Sequence, residues 1–301
     1  MEFKPVDLQD DHLLQPFFHL TTEGICEYNT NIMYLWYNVY KTHFCIEDDI
    51  LFLKQDYKGR EYALMPICKP NDYKKAFDHM QDHINASGYP LEMYCVEPEF
   101  AQFVEEHYEE HFEVYPDRDS FDYIYEGDAL RLLKGKKYHK KRNHINAFKK
   151  DFDKRYLYKR LSAEDKEDCC ELLKKWRTQK TDSPYDQIQG EILGIKRVFE
   201  HLEESNVKVG GIYIDGQLEA FSMGSYLNSK KEMAVIHVEK ANPDIRGLYP
   251  MINQEFLLAE FPDVPFVNRE EDLGIEGIRQ AKLTYRPIRF AEKYNITERV
   301  E

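Results

Sequence analysis

The chain has 301 residues, with 55 Asp+Glu against 41 Lys+Arg and a formal net charge of −14. Its 42% apolar and 14% aromatic content can bury the core of one large or two ordinary domains and argues against global disorder. No run approaches ~18 apolar residues, and Met1–Leu20 is acidic without an apolar segment, so a soluble, cytoplasmic chain is expected, with no membrane span or secretory leader.

Residues 32–37 suit a helix. Short β-type runs follow at His43–Glu47, Ile50–Lys54 and Tyr62–Ile67, separated by the turn signals Asp48-Asp49 and Lys58-Gly59. Pro70-Asn71-Asp72 opens a helix to about Ala86, stopped by Ser87-Gly88. A strand at Leu91–Val96, a helix ending near His111, and strands near Phe112–Tyr115 and Asp122–Tyr125 close the first half. In the second half, a strand at Tyr156–Arg160 precedes a helix ending near Gln179 and another over about Tyr185–Glu203. Strands at Val207–Ile214 and Leu218–Tyr226 are joined by the hairpin signal Asp215-Gly216. A strand at Glu232–Glu239, a helix from Leu248 to about Glu260, a strand at Pro265–Asn268, a short helix near Ile275–Leu283 and a last strand near Ile288–Tyr294 complete the chain. The halves share a plan of β-meander, helix, strand, helix and strand. Two α/β domains, 1–135 and 156–301, are expected, each with a mixed sheet and bridged by a helix over 136–155.

Between Arg131 and Arg160 there are 13 basic residues against Asp151 and Asp153, while the rest of the chain carries 28 basic and 53 acidic. A basic island in an acidic chain is no general nucleic-acid surface, but it can clamp one polyanion. Lys140, Lys141, Arg142 and Asn143 are the candidate contacts. The other reading is a solvated helix between domains.

Three further patterns bear on chemistry. Asn242-Pro243-Asp244-Ile245-Arg246-Gly247 leads into the helix at Leu248. The backbone N–H groups of Arg246, Gly247, Leu248 and Tyr249 can there hold a phosphate or an oxyanion. Strict alternation along the preceding strand puts His237 and Glu239 on one face, ~6–7 Å apart. After the strand ending at Asn268, the run Arg269, Glu270, Glu271, Asp272 sits where open α/β sheets place ligands, and Arg279 and Lys282 are spaced to face one ligand. The alternative is an internal ion-pair network that orients this loop. His107-Tyr108-Glu109-Glu110-His111 matches a zinc-hydrolase pattern but lacks a third ligand, so no metal is expected. The six cysteines form no C-x-x-C pair and read as reduced packing residues.

Residues 133–148 (Leu133-Lys134-Gly135 through Ala147-Phe148), 236–256 (Ile236-His237-Val238-Glu239-Lys240-Ala241-Asn242, Gly247-Leu248-Tyr249 and Ile252-Asn253-Gln254-Glu255-Phe256) and 268–287 (Asn268-Arg269-Glu270-Glu271-Asp272-Leu273-Gly274 through Tyr285-Arg286-Pro287) together resemble the motifs of one family. It comprises the stand-alone relatives of the C-terminal domain of bacterial phosphatidylglycerol lysyltransferase. The resemblance covers nearly the whole chain. It implies two tandem acyl-CoA N-acyltransferase-type (GNAT) domains, the layout of Fem-type aminoacyl-tRNA-dependent transferases. The lipid-modifying members often carry an N-terminal membrane-spanning region, and none is expected in this chain.

The resemblance implies transfer of an acyl or aminoacyl group from acyl-CoA or aminoacyl-tRNA, with no tightly bound cofactor. The acceptor would be an amine or hydroxyl on a small molecule or lipid headgroup. Glu239 or Glu270 is then the expected base, His237 its helper, and Tyr285 the donor of a proton to the leaving group. Asn268, Arg269, Glu271, Asp272, Arg279 and Lys282 would hold substrate. A non-catalytic ligand-binding protein on the same scaffold is the alternative.

Overall fold

The computed structural model describes residues 1–178 and 185–300. Its first half contains β1 (Lys4–Pro5), α1 (Asp11–Phe18), α2 (Thr30–Leu35), α3 (Tyr37–Tyr40), β2 (His43–Glu47), β3 (Ile50–Tyr57), β4 (Arg60–Leu64), α4 (Tyr73–Ala86), β5 (Glu92–Val96), α5 (Pro98–Tyr108), β6 (Phe112–Pro116) and β7 (Asp122–Glu126). Then come α6 (Gly127–Leu132), α7 (His139–Asp151), β8 (Tyr156–Arg160), α8 (Lys166–Thr178), α9 (Tyr185–Glu200), β9 (Lys208–Ile214), β10 (Gln217–Tyr226), β11 (Met233–Ala241), α10 (Leu248–Glu260), β12 (Phe266–Asn268), α11 (Glu276–Leu283), β13 (Arg289–Ala291) and β14 (Tyr294–Glu298). The expected helix end at Gln179 lies outside the described residues.

Local chemistry accounts for several of these boundaries. Asn29 caps α2 by accepting from the N–H groups of Asn31 and Ile32. Pro98 opens α5, where its missing N–H costs nothing. Asp215 and Gly216 both adopt positive φ, 49° and 84°, the twist that a two-residue hairpin between β9 and β10 needs. In α4, Ala76, Phe77, Met80 and Ile84 recur at helical spacing and are fully buried.

The chain forms two compact units. The first comprises Met1–Asp122, Glu271–Arg279 and Phe290–Glu301, and the second Tyr123–Glu270 and Gln280–Arg289. The sheet order is β1-β2-β3-β4-β5-β14-β6 in one and β13-β7-β12-β11-β10-β9-β8 in the other. Both sheets are mixed, as expected: β4·β5 and β11·β12 are parallel, whereas the meanders around them are antiparallel.

Three details differ from the expected division into 1–135, 136–155 and 156–301. The run expected as one last strand at 288–294 holds β13, and the chain ends in a further strand, β14, which lies in the first sheet between β5 and β6. Conversely, β7 lies in the second sheet beside β12, with Tyr123, Ile124 and Tyr125 all buried, the pattern of an interior strand covered on both faces. Nor is 136–155 a separate bridge. Its helix, α7, belongs to the second unit, where Ile145 and Phe148 are buried and the Phe148 ring meets Tyr156 edge-on at 5.2 Å.

In the first unit, Lys293 is buried and its ammonium lies 2.7 Å from Glu27 and 2.8 Å from Asp122. Asp272 and Arg279 also fall in this unit. Asp272 is fully buried and accepts from Arg279 Nε at 2.9 Å and Nη2 at 2.8 Å, while Arg279 reaches Asp119 at 2.6 Å. Asp272 and Arg279 are thus paired with each other, the arrangement of an ion pair that orients this loop.

Candidate active site

The second unit places its chemistry where β11 and β12 part. Their pairing covers Met233↔Phe266, Ala234↔Val267 and Val235↔Asn268, after which β11 continues for six residues to Ala241. Beyond Asn268 the chain turns away through Glu270, which has a φ of 57°. The side chain of Asn268 makes this turn by accepting from the Glu270 N–H at 2.6 Å. Lys282 Nζ then fastens the turn by donating to the carbonyls of Arg269 (2.6 Å) and Glu270 (3.0 Å). Asn268 and Lys282 thus shape the loop.

A bulge determines which side chains meet. Against β10, Glu239 pairs with Ser222 and Val238 with Met223, but Ile236 pairs with Gly224, leaving His237 as an extra residue. The insertion breaks strict alternation. Glu239 shares the face of Ser222 and Gly224, which looks onto Phe256 of α10, whereas His237 meets Ser225 on the other face. The expectation that His237 and Glu239 project together is therefore corrected, and the extra residue is the reason.

On the α10 face, Glu239 Oε1 accepts from Arg269 Nη2 at 3.0 Å and Oε2 accepts from Asn253 Nδ2 at 3.0 Å. The Arg269 guanidinium lies 4.8 Å from the centroid of the Tyr285 ring, and Lys141 Nζ approaches the same ring to 3.8 Å. Burial, countered in part by Arg269, raises the Tyr285 phenol, so it stays protonated at neutral pH. Burial, with Arg269 adding to it, pushes the Lys141 ammonium down to about 8.

On the opposite face, His237 Nε2 lies 2.8 Å from Ser225 Oγ and Nδ1 lies 3.4 Å from Glu270 Oε1. Burial pushes this imidazole down to about 3 despite the nearby carboxylate. The neutral tautomer that satisfies both contacts donates from Nδ1 to Glu270 and accepts at Nε2 from the serine hydroxyl. His237 therefore partners Glu270, not Glu239.

Glu239, Arg269, Tyr285 and Lys141 come together, as do His237 and Glu270. Asn253 and Ser225 were assigned no role from the sequence; Asn253 stands in the polar run Asn253-Gln254-Glu255 of α10 and is buried. Glu271 falls in the first unit, 3.9 Å from Lys293 Nζ. Arg142 turns inward, where its guanidinium donates to the carbonyls of Leu133 and Gly135, the two positive-φ residues ahead of α7. It is a structural clamp. Lys140 and Asn143 are exposed.

The start of α10 is less open than expected. Arg246 is exposed, Leu248 is fully buried, and the Leu248 N–H already donates to the Ile245 carbonyl. The Tyr249 hydroxyl accepts from Trp176 Nε1 at 3.3 Å. Gly247 has φ 84°, and a Cβ there would lie 2.2 Å from the carbonyl oxygen of His144 on α7. The close approach that this glycine permits is thus filled by protein backbone. Gly247→Ala is expected to destabilise the protein by about 2–4 kcal/mol, through the left-handed backbone penalty and the clash together. A lowered denaturant midpoint with unchanged slope checks this.

Among the described residues, no helix is long and apolar enough to cross a membrane. A conserved protein of unknown function from Bacteroides thetaiotaomicron superposes with TM-score 0.90 at 28% identity, covering 99% of this chain and all of that one. The L-PGS structure from Bacillus licheniformis gives 0.68 at 12% identity over 98% of this chain and 92% of that one. A tandem GNAT protein from the clavulanic acid biosynthesis pathway gives 0.55 at 12% over 99% and 98%. These two share the fold, two tandem GNAT-type domains. An uncharacterised protein of Mycoplasmoides gallisepticum is 25% identical over 175 residues, which is 58% of this chain and 55% of that protein, so the match spans about half of that relative. The family model for phosphatidylglycerol lysyltransferase, C-terminal, matches residues 18–297, and the chain belongs to that family.

Proposed function

We propose that the second unit transfers an aminoacyl or acyl group to an amine or hydroxyl acceptor. The observation that carries this reading is the Glu239–Arg269 pair set where β11 and β12 part, with Tyr285 and Lys141 against it. Each Glu239 oxygen accepts one N–H and keeps a lone pair, enough to hold an ammonium or take the acceptor's proton. Arg269 and Lys141 supply positive charge for a developing oxyanion, and the Tyr285 phenol can return a proton to the leaving group.

An aminoacyl-tRNA donor fits better than CoA. The helix start that would cradle a pyrophosphate is occupied by the His144 carbonyl and the Ile245 hydrogen bond. By contrast, Lys136, Lys137 and Lys140 are exposed, and Lys140 directly precedes the inward-turned Lys141. Relatives named for lysylation of phosphatidylglycerol make that lipid's headgroup the first acceptor to try.

The test offers lysyl-tRNA or acetyl-CoA with phosphatidylglycerol micelles or small amines. Glu239→Gln should lower turnover by roughly 10²-fold, and an unchanged rate removes its role as base. Tenfold more salt should weaken tRNA binding with a log–log slope of about −2 to −3, one phosphate per exposed lysine. Reversing Lys136, Lys137 and Lys140 to Glu should abolish that binding with the fold intact. Ligand binding without transfer from either donor would favour the non-catalytic reading.

A further inference from the structure

Lys140 and Lys141 are sequence neighbours with opposite surroundings. Lys140 is exposed, whereas Lys141 is half-buried, leans on the Tyr285 ring beside Arg269, and has no ion-pair partner among the described residues. The charged and titratable groups around it are Arg269, Glu239 and Tyr285, and Glu239 is already engaged by Arg269 and Asn253. A desolvated amine beside a second cation is the arrangement that makes a lysine nucleophilic.

We propose that Lys141 is an acylation site, an amine that activated acyl esters modify in preference to the exposed lysines next to it. In the reaction the Nζ lone pair attacks the ester or thioester carbonyl, and the adduct expels the alkoxide or thiolate. That leaving group takes up the proton the nitrogen gives up, and an uncharged acyl-lysine amide remains. The amide is not a transferable ester, and its formation removes one of the two cations at the Tyr285 ring. Donor that reaches the unit without an acceptor would thereby shut it down.

The expected size follows from ionisation. Near pH 7.4 about a fifth of Lys141 is free amine, with its pKa at about 8, against ~0.1% for an ordinary lysine. Lower basicity gives back roughly ten- to twentyfold of that ~200-fold advantage. A net preference of about tenfold is expected.

The intact chain is treated with one equivalent of N-hydroxysuccinimidyl acetate, and modification at each lysine is followed by peptide mass spectrometry from pH 6 to 10. Lys141 should react about tenfold faster than Lys140 at pH 7.4, and its rate should level off just above pH 8 while that of Lys140 keeps rising. Equal or slower labelling of Lys141, or a rate that climbs with that of Lys140 through pH 9, overturns the proposal. Because the reagent is not a substrate, either result stands whether or not the transferase reading survives.

Discussion

Lys293→Met is expected to destabilise the protein by about 3–5 kcal/mol, because it leaves two carboxylates facing each other in a core without their cation. The Lys293 side chain is 1% exposed and that of Asp122 0%. Burial by itself would discharge the amine, but Asp122, Cys26 and Glu27 reverse that tendency and raise its pKa. Methionine replaces the aliphatic stem well, so the loss measures the unpaired charge and not a cavity. The denaturant midpoint should fall with little change in slope, and adding Asp122→Asn should recover part of the loss. A cost below about 1 kcal/mol would place the pair with surface ion pairs instead.

Acid should weaken the protein through His237. Its folded pKa, about 3, lies below the ordinary value of 6.5, so between these limits the unfolded chain binds a proton that the native state refuses. The stability is complete above pH 6.5 and falls as pH drops towards 3, by up to about 4 kcal/mol. His237→Gln keeps a donor and an acceptor near Ser225 and Glu270 but cannot titrate. The gap between the two stability–pH curves should shift by that amount between pH 7 and 3. Parallel curves would show that the imidazole is not held neutral.

Much of the plan was readable from punctuation. Pro70, Ser87-Gly88 and Asp215-Gly216 bracket elements that form close to where they were expected, and the repeated order of the halves anticipated two mixed sheets. Pairing was not readable. The sequence suggests a last strand near 288–294, but not that the strand forms at 294–298 or that its partners are β5 and β6, some 180 to 200 positions earlier in the chain. Within the site, Glu239, Arg269 and Tyr285 were named from the sequence. Their grouping was misjudged because a bulge adds one residue without leaving a mark in the hydrophobic pattern, sending His237 to the other face. The directions of the side chains in the basic stretch were equally unreadable. Charge density is blind to direction, and Lys141 and Arg142 turn inward where Lys140 does not.

The exchange of β7 and β14 also has a consequence during synthesis. The strands β1 to β5 are among the first made, yet β6 has no neighbour in their sheet until residues 294–298 arrive to be inserted between β5 and β6. The unit begun first is therefore the one finished last. During translation of the intervening segment, the far edge of β5 and the whole of β6 offer unpaired backbone groups, the kind of edge that invites strand pairing with other chains. Synthesis that stalls before residue 294 leaves the N-terminal sheet incomplete, although every residue of its other six strands is already present.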